Sequence, residues 1–169
     1  ACLKSGMNDY TTKPLKKSEL QRLIKLYTNL ESQQLHSRRL LLVENDQATA
    51  TMLEKFIQYN FPSFAVKVAM NGIQACSYLG SYAPHVLIID VDLPDTDGVK
   101  VLEFLAESEK FKNLTIILNS ALAADDLRLL EALSFGVCAN IQKSSDPVKL
   151  LQVFGDAGIK RKTGLTGRE

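Results

Sequence analysis

The sequence is poor in residues that build disulfide frameworks and metal clusters. Its three cysteines, Cys2, Cys76 and Cys138, are odd in number and widely spaced, so they predict neither a disulfide frame nor a Cys-x-x-Cys metal site. We expect Cys76 and Cys138 to pack in the core. The two histidines, His36 and His85, are isolated in the sequence, which argues against a metal-ligand or phosphodonor role for either. These absences fit a reducing, cytoplasmic compartment.

Long apolar runs are missing as well. No stretch approaches the ~20 consecutive apolar residues that span a bilayer, so no membrane-spanning helix is predicted. The chain has no initiator methionine and no signal-peptide pattern, and we expect it to be an excerpt of a longer protein. No internal repeat of solenoid length is present, which disfavours a repeat architecture.

Charge is unevenly distributed along the chain. The formal net charge is +1, but residues 1–39 carry +5, residues 40–159 carry −7 and residues 160–169 carry +3. The sequence therefore indicates an acidic body with two basic flanks. Because short basic clusters are usually solvated faces, we predict no direct nucleic-acid binding by this segment.

Residues 40–158 alternate between short apolar runs, typical of buried strands, and segments of helical periodicity. The predicted strands cover residues 40–43, 64–69, 86–89, 114–118 and 137–141. The predicted helices cover residues 47–59, 72–79, 99–106, 124–133 and 147–154. Strict alternation of five strands and five helices predicts an α/β domain with a parallel, doubly wound sheet and right-handed crossovers.

Polar side chains follow four of the predicted strands. They are Glu44, Asn45 and Asp46 after the first strand, Asp90 after the third, Asn119 and Ser120 after the fourth, and Lys143 after the fifth. Because carboxyl ends of parallel strands meet at one edge of the sheet, we expect these side chains to lie together. Carboxylates and a backbone carbonyl there suit Mg²⁺. A metal ion, the Ser120 hydroxyl and the Lys143 ammonium could hold three phosphoryl oxygens, with Asp90 as the nucleophile.

These residues occur in the order and spacing of a response-regulator receiver domain, which residues 40–158 resemble. The motifs that carry the resemblance are Glu44-Asn45-Asp46, Ala69-Met70-Asn71-Gly72, residues 84–98 with Asp90 and Leu93-Pro94, Ser120-Ala121, and Lys143. The resemblance implies a (βα)5 domain with the flavodoxin-like strand order 2-1-3-4-5. It also implies a phosphorelay switch rather than a turnover enzyme.

The resemblance assigns a role to each site residue. Asp90 would accept a phosphoryl group from a histidine kinase or a histidine phosphotransfer protein. Glu44, Asn45, Asp90 and the backbone carbonyl of Asp92 would hold Mg²⁺, while Ser120 would sense the phosphoryl group and Lys143 would pair with it. The fourth helix, fifth strand and fifth helix would form the readout surface and a possible homodimer contact. Asp95 and Asp97 are expected to be solvated loop carboxylates, and no membrane partner is predicted.

Three residues depart from the family pattern. Asn45 stands where a second acidic residue is usual, which predicts a lower metal affinity. Ser144 follows Lys143 in place of proline, and Asn140 replaces the aromatic residue common three positions before that lysine. Phosphorylation is therefore expected to be accompanied by a different readout.

Residues 1–30 resemble the same family a second time. Cys2–Lys4, Gly6–Tyr10 and Lys13-Pro14 resemble the last strand and helix of a receiver domain. We therefore expect a C-terminal fragment of an upstream receiver at residues 1–30 and a linker at residues 31–39. The receiver domain itself is predicted at residues 40–158, followed by a basic linker or tail at residues 159–169.

Two other functions remain open from the residues alone. Asn45, Asn140 and Ser144 are compatible with a degenerate receiver that acts as a non-phosphorylated interaction or dimerisation adaptor. A haloacid-dehalogenase-type phosphatase would also place Asp90 and Asp92 after a buried strand, although that family has Gly-Thr where this chain has Leu93-Pro94. A flavodoxin-like cofactor domain is disfavoured because no glycine-rich phosphate cradle follows the first strand.

Overall fold

Apolar strands with one hydrophobic helix between each pair build a central parallel sheet. The computed structural model of the chain describes residues 38–143 and 148–159. The strands are β1 (Arg38–Val43), β2 (Phe64–Ala69), β3 (Val86–Ile89), β4 (Thr115–Ser120) and β5 (Ala139–Gln142). The helices are α1 (Gln47–Asn60), α2 (Gly72–Tyr82), α3 (Gly98–Glu107), α4 (Leu127–Ser134) and α5 (Val148–Asp156), with a 3-10 turn at Glu109–Phe111.

The sheet has five strands in the order β2-β1-β3-β4-β5, and all neighbouring pairs are parallel. This confirms the predicted fold class and the order 2-1-3-4-5. The chain reverses its direction of winding between β1 and β3, so the carboxyl ends of these two strands flank the crevice where open α/β sheets bind ligands.

The central strands are buried on both faces because their side chains alternate between two hydrophobic cores. In β3, Val86 and Ile88 face a core shared with α1 and α5, whereas Leu87 and Ile89 face a core shared with α2, α3 and α4. All four side chains are at most 1% exposed. The continuous apolar run that predicted a buried strand therefore serves both layers of helices.

Three aromatic rings fill the core beneath α1 and α5. The ring centroid of Phe154, on α5, lies 4.6 Å from that of Phe61 and 6.1 Å from that of Phe64. The three side chains are at most 2% exposed. They fasten the last helix to the start of β2 and the end of α1.

Element boundaries differ from the sequence expectation at several points. β1 begins at Arg38, inside the expected linker, because Arg38 and Arg39 pair in register with Phe64 and Ala65 of β2. Helix α4 begins at Leu127 rather than at residue 124, because the Asp126 side chain caps it by accepting from the Arg128 amide.

The first residue of the predicted tail, Ile159, belongs to the core of the domain. Ile159 is 2% exposed and packs in the core beneath α1 and α5.

Several predictions fall outside the described residues. They concern the upstream fragment at residues 1–30, most of the linker, Ser144 and residues 160–169. Within the described ranges, no helix is long and apolar enough to cross a membrane.

Replacing Phe154 tests the aromatic core. Phe154→Ala should lower the free energy of unfolding by about 3–5 kcal/mol, because it removes a fully buried ring and leaves a cavity. Urea denaturation followed by circular dichroism measures the change. The control is Tyr59→Ala, which truncates an aromatic side chain that is 87% exposed and should change stability by less than about 0.5 kcal/mol. Equal effects of the two variants would contradict the packing described here.

Candidate functional site

The carboxyl edge of the sheet gathers polar side chains in an otherwise apolar interior. Glu44 follows β1, Asp90 follows β3 and Ser120 ends β4, and each is at most 1% exposed. The sheet ladder continues up to the acidic residues, because the Glu44 amide donates to the Ala69 carbonyl and the Asp90 amide donates to the Val43 carbonyl, both at 3.0 Å. The backbone thus fixes where both carboxylates lie.

Lys143 joins the two buried carboxylates. Its Nζ lies 2.8 Å from Glu44 Oε1 and 2.6 Å from Asp90 Oδ2. Its own amide donates to the Ser120 carbonyl at 2.9 Å, which anchors the lysine just after β5. Three residues that are 99 and 53 positions apart in the chain are therefore brought into one ionic cluster.

Burial and hydrogen bonding act in opposite directions on Lys143. Burial lowers the pKa of its ammonium group, but the hydrogen bonds and charges of Asp90 and Glu44 outweigh this and raise the pKa above its ordinary value of 10.5. Lys143 is therefore charged at neutral pH. The cluster places two carboxyl groups against this one ammonium group.

Other groups satisfy the remaining carboxylate oxygens. The Asp46 amide donates to Glu44 Oε1 at 3.1 Å, and Asn119 Nδ2 donates to Glu44 Oε2 at 3.3 Å. The Asp92 amide donates to Asp90 Oδ1 at 3.1 Å. Among the described residues, no buried side-chain nitrogen or oxygen lacks a hydrogen-bond partner, which is the condition for keeping carboxylates in an apolar interior.

Ser120 lies at the end of β4 with its hydroxyl engaged by the following turn. Its Oγ accepts a hydrogen bond from the Leu122 amide at 3.1 Å. Since the oxygen serves as the acceptor in this contact, the hydroxyl proton is left to donate to another group. The side chain can therefore bind an anionic oxygen without losing its contact with the turn.

The loop between β3 and α3 folds back tightly on the end of β3. Asp92 and Asp97 form an isolated antiparallel bridge, and the Gly98 amide donates to the Val91 carbonyl at 2.9 Å. A Cβ atom at Gly98 would lie only 2.4 Å from the backbone oxygen of Asp90. This position consequently requires glycine, since only a residue without Cβ allows the two backbones to approach so closely.

Asp95 and Asp97 are more than solvated loop carboxylates, and the expectation for them was incomplete. Asp95 accepts hydrogen bonds from the Gly72 and Ile73 amides at 2.8 and 2.9 Å. The hydrogen bond from Ile73 is the largest cause of the lowered pKa of the Asp95 carboxyl. Asp97 caps α3 by accepting from the Val99 amide. The loop is thereby tied to the starts of α2 and α3.

Arg128, in the first turn of α4, was not predicted from the sequence. Its two terminal nitrogens lie 2.8 Å from Asp92 Oδ1 and 3.3 Å from Asp97 Oδ1. Hydrogen bonds to Asp92 and then to Asp97 raise the pKa of its guanidinium group. The contacts span 36 and 31 residues, and nothing in the local sequence pattern signals them.

The chemistry of the donor groups fits a hard, oxygen-preferring cation. Within residues 38–143 and 148–159, no three His, Cys, Asp or Glu side chains are grouped so as to hold a metal ion. The buried carboxylates of Glu44 and Asp90 would therefore need neutral oxygens beside them, such as the Asn45 amide and the Asp92 carbonyl. Mg²⁺ accepts such a set because it binds through one or two carboxylates and retains several waters.

The isolated cysteines and histidine lie away from this cluster. Cys76 and Cys138 are both exposed, so the prediction that they pack in the core is wrong: in α2 the neighbouring Ala75 faces the core instead. His85 accepts the Arg39 amide on Nδ1 at 3.0 Å at the amino edge of the sheet. Burial and the nearby Arg39 lower the pKa of its imidazole, which keeps it in the accepting form.

Comparison with known proteins agrees with the fold and assigns the chain to a family. The family model described as the response regulator receiver domain matches residues 40–154. A probable transcriptional regulator of Porphyra purpurea is 30% identical over 120 residues, which are 70% of this chain and 55% of that protein. A response regulator of Synechocystis sp. is 28% identical over 111 residues, which are 66% of this chain and 47% of that protein. The chain spans about half the length of these curated relatives.

Solved structures give the same result for the fold. The signal receiver domain of a DNA-binding response regulator from Colwellia psychrerythraea superposes with a TM-score of 0.67, at 21% identity, over 73% of this chain and 100% of that one. The signal receiver domain of a response regulator from Bermanella marisrubri has a TM-score of 0.61 at 28% identity, over 72% of this chain and 98% of that one.

Removing the Lys143 ammonium group tests the ionic cluster. Lys143→Met should lower the free energy of unfolding by about 1.5–3 kcal/mol near neutral pH, because Glu44 and Asp90 lose a charged donor they share. Urea denaturation measures the change. The control Lys55→Met removes an exposed lysine of α1 and should cost less than about 0.5 kcal/mol.

The pH dependence of this difference follows from the raised pKa of Lys143. A cation whose pKa rises on folding stabilises the protein fully below its ordinary value, here 10.5, and the effect is lost as the pH rises through the raised value. A difference between wild type and Lys143→Met that already fades well below pH 10.5 would contradict the ion pairs.

Proposed function

The chain belongs to the response regulator receiver family, and on that premise we propose that residues 40–158 accept a phosphoryl group on Asp90. The donor would be a histidine kinase or a histidine phosphotransfer protein. The observation that carries the proposal is the Lys143 ammonium, which lies within 2.8 Å of both buried carboxylates at the carboxyl edge of the sheet. A single loop carboxylate would not need a counter-charge from a residue near the other end of the domain's sequence.

The reaction is a phosphoryl exchange between two nucleophiles. A carboxylate oxygen of Asp90 forms the new bond to phosphorus as the bond from phosphorus to the donor histidine nitrogen breaks. The product is an acyl phosphate on Asp90, and the imidazole leaves with the electron pair of the broken bond. Because Asp90 is held by two donors, Lys143 Nζ and the Asp92 amide, its carboxylate is oriented before the donor arrives.

Ser120 and Lys143 act on the charge of the transferred group. The Ser120 hydroxyl can donate to one phosphoryl oxygen while its Oγ keeps the Leu122 amide. The Lys143 ammonium, already placed between Glu44 and Asp90, can exchange a carboxylate partner for another phosphoryl oxygen. Both contacts strengthen as negative charge develops on the phosphoryl oxygens, which is how they would lower the barrier.

Mg²⁺ would be held by Glu44, Asn45, Asp90 and the backbone carbonyl of Asp92. It would supply positive charge that neutralises the phosphoryl oxygens during transfer. The two-to-one excess of carboxylates over cations at Lys143 leaves a net negative charge that favours such an ion. Asn45 is exposed in the loop between β1 and α1 and contributes no charge, so we propose that the affinity is modest.

The proposed output is a switch in the surface formed by α4, β5 and α5, not catalytic turnover. Apolar side chains on α4 are already exposed, with Leu127 at 80% and Leu130 at 51%. β5 is an edge strand of the sheet, and Asn140 on it is exposed where the family commonly has an aromatic side chain. These features support contact with a partner, or with a second copy of the chain, through this surface.

Replacing Asp90 tests the phosphoacceptor role directly. With Mg²⁺ and acetyl phosphate, the wild type should gain a labile phosphoryl adduct that intact-mass spectrometry detects, and Asp90→Asn should gain none. Asp156→Asn is the matched control, because it removes the same charge from an exposed residue at the end of α5. It should be phosphorylated like the wild type.

The other outcomes identify the alternative functions. A wild type that binds neither phosphate nor beryllofluoride at millimolar Mg²⁺ would exclude the phosphoacceptor and leave the interaction adaptor. Sustained turnover of phosphate esters, abolished in Asp90→Asn, would instead identify a phosphatase of the haloacid-dehalogenase type. The family match favours neither of these alternatives.

Adding a carboxylate at Asn45 tests the metal site. Asn45→Asp should tighten Mg²⁺ binding by about tenfold or more, since changes in a metal site alter affinity on that scale. Isothermal titration calorimetry measures it. The control Asn113→Asp adds the same charge to an exposed residue just before β4, at the opposite edge of the sheet. Equal affinities for Asn45→Asp and the wild type would place residue 45 outside the metal site.

A further inference from the structure

We propose that Arg128 is a positioning residue that couples the state of Asp90 to helix α4. This inference rests on the function proposed for Asp90, because it describes how that site communicates with the readout surface. The guanidinium group of Arg128 contacts Asp92 and Asp97, which both lie in the loop between β3 and α3.

The first contact is between Asp90 and the backbone of Asp92. The Asp92 amide donates to Asp90 Oδ1 at 3.1 Å, so any change of charge or geometry on the Asp90 carboxylate acts directly on the peptide of residue 92. The same residue is proposed to offer its carbonyl oxygen to Mg²⁺. Residue 92 is therefore in contact with the reacting group through its backbone.

The second contact is between the Asp92 side chain and α4. Arg128 binds Asp92 with one terminal nitrogen at 2.8 Å and Asp97 with the other at 3.3 Å. Asp92 and Asp97 pair as an antiparallel bridge, so their carboxylates lie on adjacent backbone segments. The planar guanidinium group spans both, which a lysine ammonium cannot do with the same geometry.

Arg128 is attached to α4 at the helix start. Its own amide donates to the side chain of the capping residue Asp126 at 2.9 Å. The residue thus sits in the first turn of the helix that carries the exposed Leu127 and Leu130. A shift of the Asp92 peptide would pull on the guanidinium group and change the constraint on this first turn.

The rest of the loop between β3 and α3 is hydrogen-bonded to the starts of α2 and α3, which confines movement to the contact between Asp92 and Arg128. Asp95 fixes the loop to the start of α2 through the Gly72 and Ile73 amides, and Asp97 caps α3 through the Val99 amide. The Asp97 side chain has no freedom to follow Arg128 without losing the α3 cap. Asp92, whose side chain is 52% exposed, is the partner able to move.

The contribution of Arg128 to stability is expected to be small. The Arg128 side chain is 40% exposed, and exposed ion pairs contribute little because solvent screens them. Two carboxylates on one bridge nevertheless repel one another, and the positive charge of Arg128 offsets this repulsion beside the site that is proposed to receive an anionic phosphoryl group. Its role is to orient the loop and transmit its movement, not to hold the fold together.

Amide hydrogen exchange of α4 with and without beryllofluoride and Mg²⁺ tests the coupling. In the wild type, ligand binding should change the exchange of residues 127–134. In Arg128→Gln, beryllofluoride should still bind at Asp90, as fluorine NMR detects, but the ligand-induced change in α4 should be about two- to five-fold smaller. Lys112→Gln is the matched control, since it removes a lysine paired with Glu109 at the other end of α3.

Two further variants separate coupling from simple structural support. Arg128→Lys keeps the charge but not the two-pronged geometry, and it should restore only part of the response. Asp92→Asn should lose the response to the same degree as Arg128→Gln, and the double variant should lose no more than either alone. A structural role alone would alter α4 exchange without ligand and leave the ligand-induced change intact.

The outcomes distinguish this inference from the proposed function. A wild type that binds no beryllofluoride overturns the phosphoacceptor role and removes the event that Arg128 would transmit. If the wild type and Arg128→Gln both bind beryllofluoride and the α4 response of Arg128→Gln is undiminished, the coupling is overturned and the phosphoacceptor role stands. Binding in both with a diminished response in Arg128→Gln, but not in Lys112→Gln, supports the coupling.

Discussion

The arrangement of this domain depends on one partly buried ionic contact, in which the Lys143 ammonium lies between the buried carboxylates of Glu44 and Asp90. Neither carboxylate could remain charged in the interior without a counter-charge and hydrogen bonds. The contact requires β1, β3 and β5 to end at the same level of the sheet, so that the residues after them lie side by side. The parallel strand order and the identity of three distant side chains are therefore parts of one physical requirement.

The sequence predicted the features that depend on local pattern or on the edge of a parallel sheet. The apolar run at residues 86–89 predicted β3 with the observed bounds, because a strand buried on both faces has a continuous apolar signature. Glu44, Asp90, Ser120 and Lys143 could be placed together because each was expected at the carboxyl end of a strand of the same sheet. Phosphorylation and metal binding remain predictions.

Features that depend on side-chain geometry rather than on the hydrophobic pattern were not predicted. Helix α4 starts late because of the Asp126 cap, whereas helical periodicity alone extends the helix toward residue 124. The local sequence around Arg128 is typical of an exposed residue on a helix. Only the folded backbone brings its guanidinium group to Asp92 and Asp97. Cys76 lies one residue beyond the buried Ala75 in α2, a rotation of about 100° that a short apolar helix pattern does not define.

The close approach at Gly98 has a consequence for how tolerance to substitution reflects function in this chain. A side chain at residue 98 would collide with the backbone carbonyl oxygen of Asp90 itself, so replacing the glycine would displace the proposed acceptor. In a survey of all single substitutions, we expect Gly98 and Asp90 to show similar intolerance, although only Asp90 carries the carboxylate that is proposed to react. Selection on the proposed phosphoryl chemistry would thus also act on a position whose contribution is the absence of a side chain.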